Sequence, residues 1–185
     1  MRKVLYILGL LTDADVDWIA NSGRRRSHAA GAVLITQNQP IDSLMIVLEG
    51  RVRVEVAGVG EVAQLGSGEI LGEMSLIEDG TPSASVIVLE ASQVLHLDRN
   101  LLNAKLEQDP HFAARLYRAI AMFLSARMRS TVQRLGYGTV TVASEDEIGP
   151  SLLDNVHIAG NRFDRMVKKL MMPESQELSD DFQSD

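Results

Sequence analysis

An α+β fold is predicted, in which an antiparallel, double-stranded jelly-roll-like β-roll is flanked by a short N-terminal helix and a long C-terminal dimerisation helix. Three observations predict it. Residues 32 to 98 carry short apolar runs with a period of two, separated by turns at Gly50, Gly58 with Gly60, Gly66 with Gly68, and Gly80. Residues 109 to 134 open on helix start signals and then repeat apolar residues at helical spacing. Ahead of the roll, "LTDADVDWIANS" has a capped, acid-first helical pattern.

In that first helix Thr12 or Asp13 is the N-cap, the early acids favour the positive helix end, and Val16, Ile19 and Ala20 form the inner face up to Gly23. The run Arg24 to Arg26 reads as a solvated loop. The roll strands are "AVLIT", "SLMIVLE", "RVRVEV", "EVAQL", "SASVIVLE" and "QVLHL". In "RVRVEV" the valines 52, 54 and 56 point one way and Arg51, Arg53 and Glu55 the other, which marks a half-buried antiparallel strand. "LDRNLLNAKLEQD" is a short helix, and Asp109 then caps a longer one with Pro110 at its first position.

The long helix carries Phe112, Leu116, Ala119, Ile120, Phe123, Leu124, Met128 and Val132 in one stripe over about 24 residues, ~36 Å. That exceeds what a small roll covers, so Leu116, Ile120, Phe123, Leu124 and Met128 are expected to face a second copy in a homodimer. Beyond Gly136 come a strand-like "TVTVA", a helical "SLLDNVHIAGNRFDRMVKKLM" expected to fold back on the long helix, and a polar terminus. The expected organisation is 10–135 for the roll with its closing helix, 136–172 for a partly helical extension, and 173–185 for a disordered tail.

Composition narrows the function. With no cysteine, a disulfide framework, a thiolate metal site and a thiol nucleophile are excluded. No apolar run approaches about 18 residues, the length of a membrane span. "MRKVLYILGLL" opens like a signal peptide, but acidic "TDADVD" follows at once, so a cytoplasmic location is expected. The net charge of -7 is concentrated beyond residue 135, which disfavours a phosphate backbone as partner. His28, His96, His111 and His157 are scattered in sequence, no metal site is expected, and no nucleophile motif is present. No catalytic residue is assigned, and a non-enzymatic role is expected.

The segment "GEILGEMSLIEDGTPSASV", Gly68 to Val86, combines glycines, Glu73 and small hydroxyls as a short helical turn offering backbone N–H groups would. Yet no Lys or Arg occurs from Glu55 to Asp98. "LEG" between two strands, "GEMSL" opening this cassette, the small polar residues after it and the long closing helix together resemble the cyclic-nucleotide-binding domain family, over roughly residues 10 to 135.

The resemblance implies a ligand site at Gly72, Glu73, Met74, Ser75, Pro82, Ser83, Ala84 and Ser85. Gly72 would allow close backbone approach, Glu73 would accept from a ribose 2′-hydroxyl, and Met74 and Ser75 would lie along the N–H turn. The family's phosphate-binding arginine falls on Pro82 or Ser83, neither of which carries charge. The expected function is therefore a regulatory sensor module that acts through contacts with a protein partner and has no resident cofactor. A true cyclic-nucleotide receptor is the first alternative. The second is a catabolite-activator-like transcriptional regulator with a divergent DNA-binding segment, which the acidic surroundings of "IAGNRFDRMVKKL" disfavour.

Overall fold

The computed structural model describes residues 8–78, 80–134 and 150–171. Helix α1 (Asp13–Ser22) leads into strands β1 (Arg24–His28), β2 (Val33–Ile35), β3 (Ser43–Glu49), β4 (Arg51–Val56), β5 (Gly60–Gly66) and β6 (Ile70–Leu71). The short helix α2 (Glu73–Glu78) interrupts the roll before β7 (Ser85–Val88) and β8 (Ser92–Asp98). Helices α3 (Arg99–Gln108), α4 (Pro110–Arg134) and α5 (Pro150–Met171) follow. The strands form two four-stranded antiparallel sheets in the orders β1-β8-β3-β6 and β2-β7-β4-β5. The expected "TVTVA" strand and the polar terminus lie outside the described residues.

Strand β3 explains the layering. Its "SLMIVLE" is a continuous apolar run because both faces are buried. Leu44, Ile46 and Leu48 join the helices in one cluster, while Met45 and Val47 meet Val52, Leu65, Val86 and Val88 between the sheets. Gly50 makes the sharp turn into β4 with φ of 97°, and a Cβ there would lie 2.1 Å from Ser92 Oγ. Only glycine fits both the backbone and the space.

Two expectations about the surface are corrected. Arg24 to Arg26 belong to β1, an exposed edge strand paired with β8, and are not a loop. All of β1 is polar, so no alternation marks it in the sequence, and its charges suit an edge that must not pair further. The second correction concerns the dimer stripe. Leu116, Ile120 and Phe123 are 2%, 0% and 1% exposed, packed into the chain's own helical cluster, so they have nothing left to offer a second copy. Leu124 is partly buried against the same cluster, and Met128 alone of the five is exposed, at 70%.

The cover over that cluster comes from the first and last of the described segments. Ala159, Phe163 and Met166 of α5 enter it beside Leu8, Leu11 and Val16. The ion pairs of α5 reach α1: Arg162 bonds Asp13, Arg165 lies 2.6 Å from Asp17, and Lys169 lies 3.5 Å from the same carboxylate. The acidic face of α1 therefore receives α5, where the sequence had pointed to the long helix.

Asp15 ties α1 to α4. It closes a capping box with Thr12, accepting from the Thr12 N–H at 2.7 Å, and accepts from Arg115 Nε at 2.7 Å and Nη2 at 2.9 Å. Burial pushes its carboxyl up, but the Arg115 and Thr12 hydrogen bonds outweigh that and hold it below the ordinary value. A bidentate, charge-assisted contact of this kind is among the stronger polar interactions. Asp15→Ala is expected to cost about 2–4 kcal/mol, combining the lost cap and the lost pair. Because the folded value is depressed, Asp15 stabilises the native chain above the ordinary carboxylate range and ceases to as pH falls through the depressed value. Thermal melts from about pH 3 to about pH 7 should show this acid-sensitive step in the wild type and a smaller one in the variant.

Candidate functional site

Between the inner face of the β2-β7-β4-β5 sheet, the α2 turn and the far half of α4 lies a cavity of about 580 Å³. Its sheet side is apolar, with Ile35, Val54, Val56, Leu65 and Val86. These are the inward residues of period-two strands, so the pattern that makes the sheet also makes the wall. Polar groups come mainly from the opposite side: Glu73 and Ser75 on α2, Ser83 after it, and Arg127 and Thr131 on α4.

Seven of the eight residues predicted from the cassette line this cavity: Gly72, Glu73, Met74, Ser75, Pro82, Ser83 and Ala84. Ser85 does not; its hydroxyl accepts from the Gln37 N–H at 3.0 Å and fastens the β7 end. Gly72 has φ of 85°, and a Cβ would approach Ile41 Cδ1 to 2.6 Å and the Ser43 carbonyl to 3.2 Å. The turn and the packing beneath it require glycine, independently of any ligand.

Glu73 is 3% exposed and begins α2. A buried carboxylate needs a cation, and the cassette has none. Arg127 supplies it from α4, donating from Nη1 to Glu73 Oε1 at 2.7 Å, with Nη2 3.8 Å from Glu69. The guanidinium carbon also sits 4.8 Å from the centroid of Phe123, one helical turn earlier. The two arginines of β4 are turned elsewhere, Arg51 to Glu90 at 3.4 Å and Arg53 to Glu55 at 2.8 Å, while Arg127 lines the cavity. Spacing could not select it, because the contact spans 54 residues.

Burial raises the Glu73 pKa, Arg127 and a backbone hydrogen bond oppose this, and Glu69 adds to it; the result lies above the ordinary value.

A second titratable pair lies on the other sheet. His28 and His96 meet with Nε2 atoms 3.1 Å apart and ring centroids 5.3 Å apart. The rings are nearly end-on, so one nitrogen donates directly to the other and the lone pairs do not converge on a shared third point. Burial, then His28 and Arg26, push His96 down to about 4, which keeps the pair neutral near pH 7. Sequence separation hid this contact, which β1–β8 pairing creates. Among the described residues no group of three or more His, Asp or Glu side chains is placed to hold a metal ion.

Arg127→Gln is expected to destabilise the chain by about 2–3 kcal/mol at neutral pH, less than for a fully buried pair because the guanidinium is partly exposed. The folded state holds the Glu73 proton more tightly than the unfolded state. Its contribution is therefore full below the ordinary carboxylate value and is lost as pH rises through the raised one, and removing Arg127 extends that loss to higher pH. Melting curves between about pH 4 and about pH 8 should show the variant losing stability more steeply than the wild type.

Residues 25–109 match the family model described as the cyclic nucleotide-binding domain. The chain is 32% identical over 123 residues to the cyclic AMP receptor protein of Thermus thermophilus, covering 64% of this chain and 55% of that protein. It is 28% identical over 138 residues to lysophospholipase nte1 of Aspergillus fumigatus, covering 72% of this chain and 8% of that protein. A solved cyclic nucleotide-binding domain from Methylobacillus flagellatus superposes with a TM-score of 0.62 at 26% identity, covering 71% of this chain and 80% of that one. The chain thus spans about half the length of the first relative and a small part of the second. Among the described residues no helix is long and apolar enough to cross a membrane.

Proposed function

We propose that this chain, whose residues 25–109 match the cyclic nucleotide-binding domain model, is a non-enzymatic, cytoplasmic regulatory module whose cavity admits a small molecule and whose helices report it to a protein partner. The observation that carries the reading is the Arg127–Glu73 pair, which joins the cassette to α4 across the cavity. A ligand that enters beside the pair competes with or reinforces it, and so changes how firmly α4 is held. The change has a physical route onward: α4 is bound to α1 by Arg115–Asp15, and α1 to α5 by three ion pairs.

Helix α5 fits a protein-contact role better than a DNA-reading one. Arg162, Arg165 and Lys169, which phosphate binding would use, are engaged by Asp13 and Asp17. Self-association would use the exposed part of α4, where Met128 and Val132 are 70% and 37% accessible. Phe123→Asp would then unfold the chain, and Met128→Asp is the substitution that separates copies.

The runner-up is a true cyclic-nucleotide receptor, favoured by the seven cassette residues on the cavity wall. Magnitude argues against it. At the family's arginine position stands Pro82 or Ser83, and one charge-assisted contact is worth about 1.5–3 kcal/mol, roughly 10- to 100-fold in affinity. Wild-type protein should bind cyclic AMP weakly in calorimetry, and Ser83→Arg should tighten it by about that factor. Submicromolar binding by the wild type would establish the receptor as the form the module takes. Hydrogen exchange across α4 and α5, with and without a bound ligand, tests the reporting route.

A further inference from the structure

We propose that the outer edge of β1 is a docking strand for an acidic extended segment, and that its occupant is residues 174–181 of the same chain. Three observations carry this, and none of them involves the cavity.

The first is an open edge. Strand β1 pairs with β8 on one side and ends its sheet, so alternate N–H and C=O groups of Arg24–His28 point outward with no strand beside them. An extended segment laid along such an edge gains main-chain hydrogen bonds whatever its sequence, and side chains decide which segment is accepted.

The second is charge. Arg24 and Arg26 share the face of His96 and Val94, and Arg25 shares that of Leu95, so both faces of the edge are positive. All three are exposed, and among the described residues none has an acid partner. The neighbouring helix does not supply one: Asp13 is taken by Arg162, Asp15 by Arg115, and Asp17 by Arg165 and Lys169. The same edge of a second copy would set arginine against arginine, whereas an acidic segment meets no such barrier.

The third is the direction of α5. Arg162 reaches Leu8 and Asp13, while Arg165 and Lys169 reach Asp17, so α5 runs parallel to α1. Its last residue, Met171, therefore lies toward the end of α1, where Gly23 passes the chain into β1. Next in sequence come Pro173, a helix-stopping residue, and the acids Glu174, Glu177, Asp180 and Asp181, with no Lys, Arg or His from 172 to 185. Ten extended residues reach about 33 Å, ample for a strand of five. Composition gives this segment little to bury, but edge pairing draws on backbone and charge. Docking there closes the edge and tethers α5 to α1 from beyond Met171.

The test uses the full chain. Because the sequence has no cysteine, a nitroxide on Ser179→Cys is a unique label. It should broaden the amide resonances of residues 24–28 at about 0.1 M salt, and several-fold less at about 1 M, where screening shortens to about 3 Å. Replacing the four acids by amides (Glu174→Gln, Glu177→Gln, Asp180→Asn and Asp181→Asn) should remove the broadening and speed exchange of the outward β1 amides by about tenfold, with β3 unchanged. Arg24→Glu with Arg25→Glu and Arg26→Glu should do the same. Should that variant not fold, the amide variant carries the test alone.

Residues 24–28 left sharp beside the labelled wild-type acids would overturn the proposal, as would broadening or exchange that the amide variant does not change. So would broadening confined to mixed samples with label and isotope on different copies, which would give the edge to a second copy. Protection of β1 that arises only on adding duplex DNA or vesicles of anionic lipid would also refute it, and would name a phosphate-bearing occupant instead.

Discussion

A buried carboxylate at the mouth of a cavity sets the terms for everything around it. Glu73 begins α2 at a point where the surrounding chain offers no positive charge, and the cost of leaving it unpaired is several kcal/mol. The guanidinium must come from elsewhere, and α4 is the element that delivers it. The rotation of α4 that places Arg127 over the cassette also turns Phe112, Leu116, Ala119, Ile120 and Phe123 onto the helical cluster. It also brings Arg127 and Thr131 into the cavity lining on the side away from the sheet.

The same contact separates two roles that a phosphate cradle usually combines. The backbone of the cassette is set by Gly72 in the left-handed region and Glu73 at the helix start. The cation beside it comes from α4 and is paired with Glu73 within the chain. Fold similarity carries the geometry from relative to relative, and ligand choice depends on one or two side chains that such similarity does not constrain.

Much of this was legible in the sequence, and the rest was hidden for identifiable reasons. Strands β3 and β4 fall on the predicted residues because continuous and alternating apolar patterns answer directly to two-sided and one-sided burial. Thr12, Gly23, Asp109 and Pro110 mark helix ends through local hydrogen bonding, and the structure keeps each there. Cassette residues could be named because turn chemistry is local. Arg127, the His28–His96 pair and strand β1 could not be singled out, since each owes its role to a partner 54 to 72 residues away. The dimer stripe shows the opposite error: periodicity shows that a helix face is buried, and never by what. Residues from α5 share in the cover that a second copy was expected to supply.

The joining of the first and last described helices has a consequence during synthesis. Arg165 and Asp17 are 148 residues apart, and the apolar cluster that α5 enters includes Leu8, Leu11 and Val16 from the start of the chain. At roughly 5–20 residues per second, on the order of 10 s separates the emergence of the receiving groove from that of the helix that fills it. Throughout that interval the nascent roll carries an uncovered hydrophobic seam beside an acidic ridge, a surface suited to transient chaperone capture. The acids that later pair with α5 meanwhile keep the seam hydrated and discourage neighbouring nascent chains from joining along it.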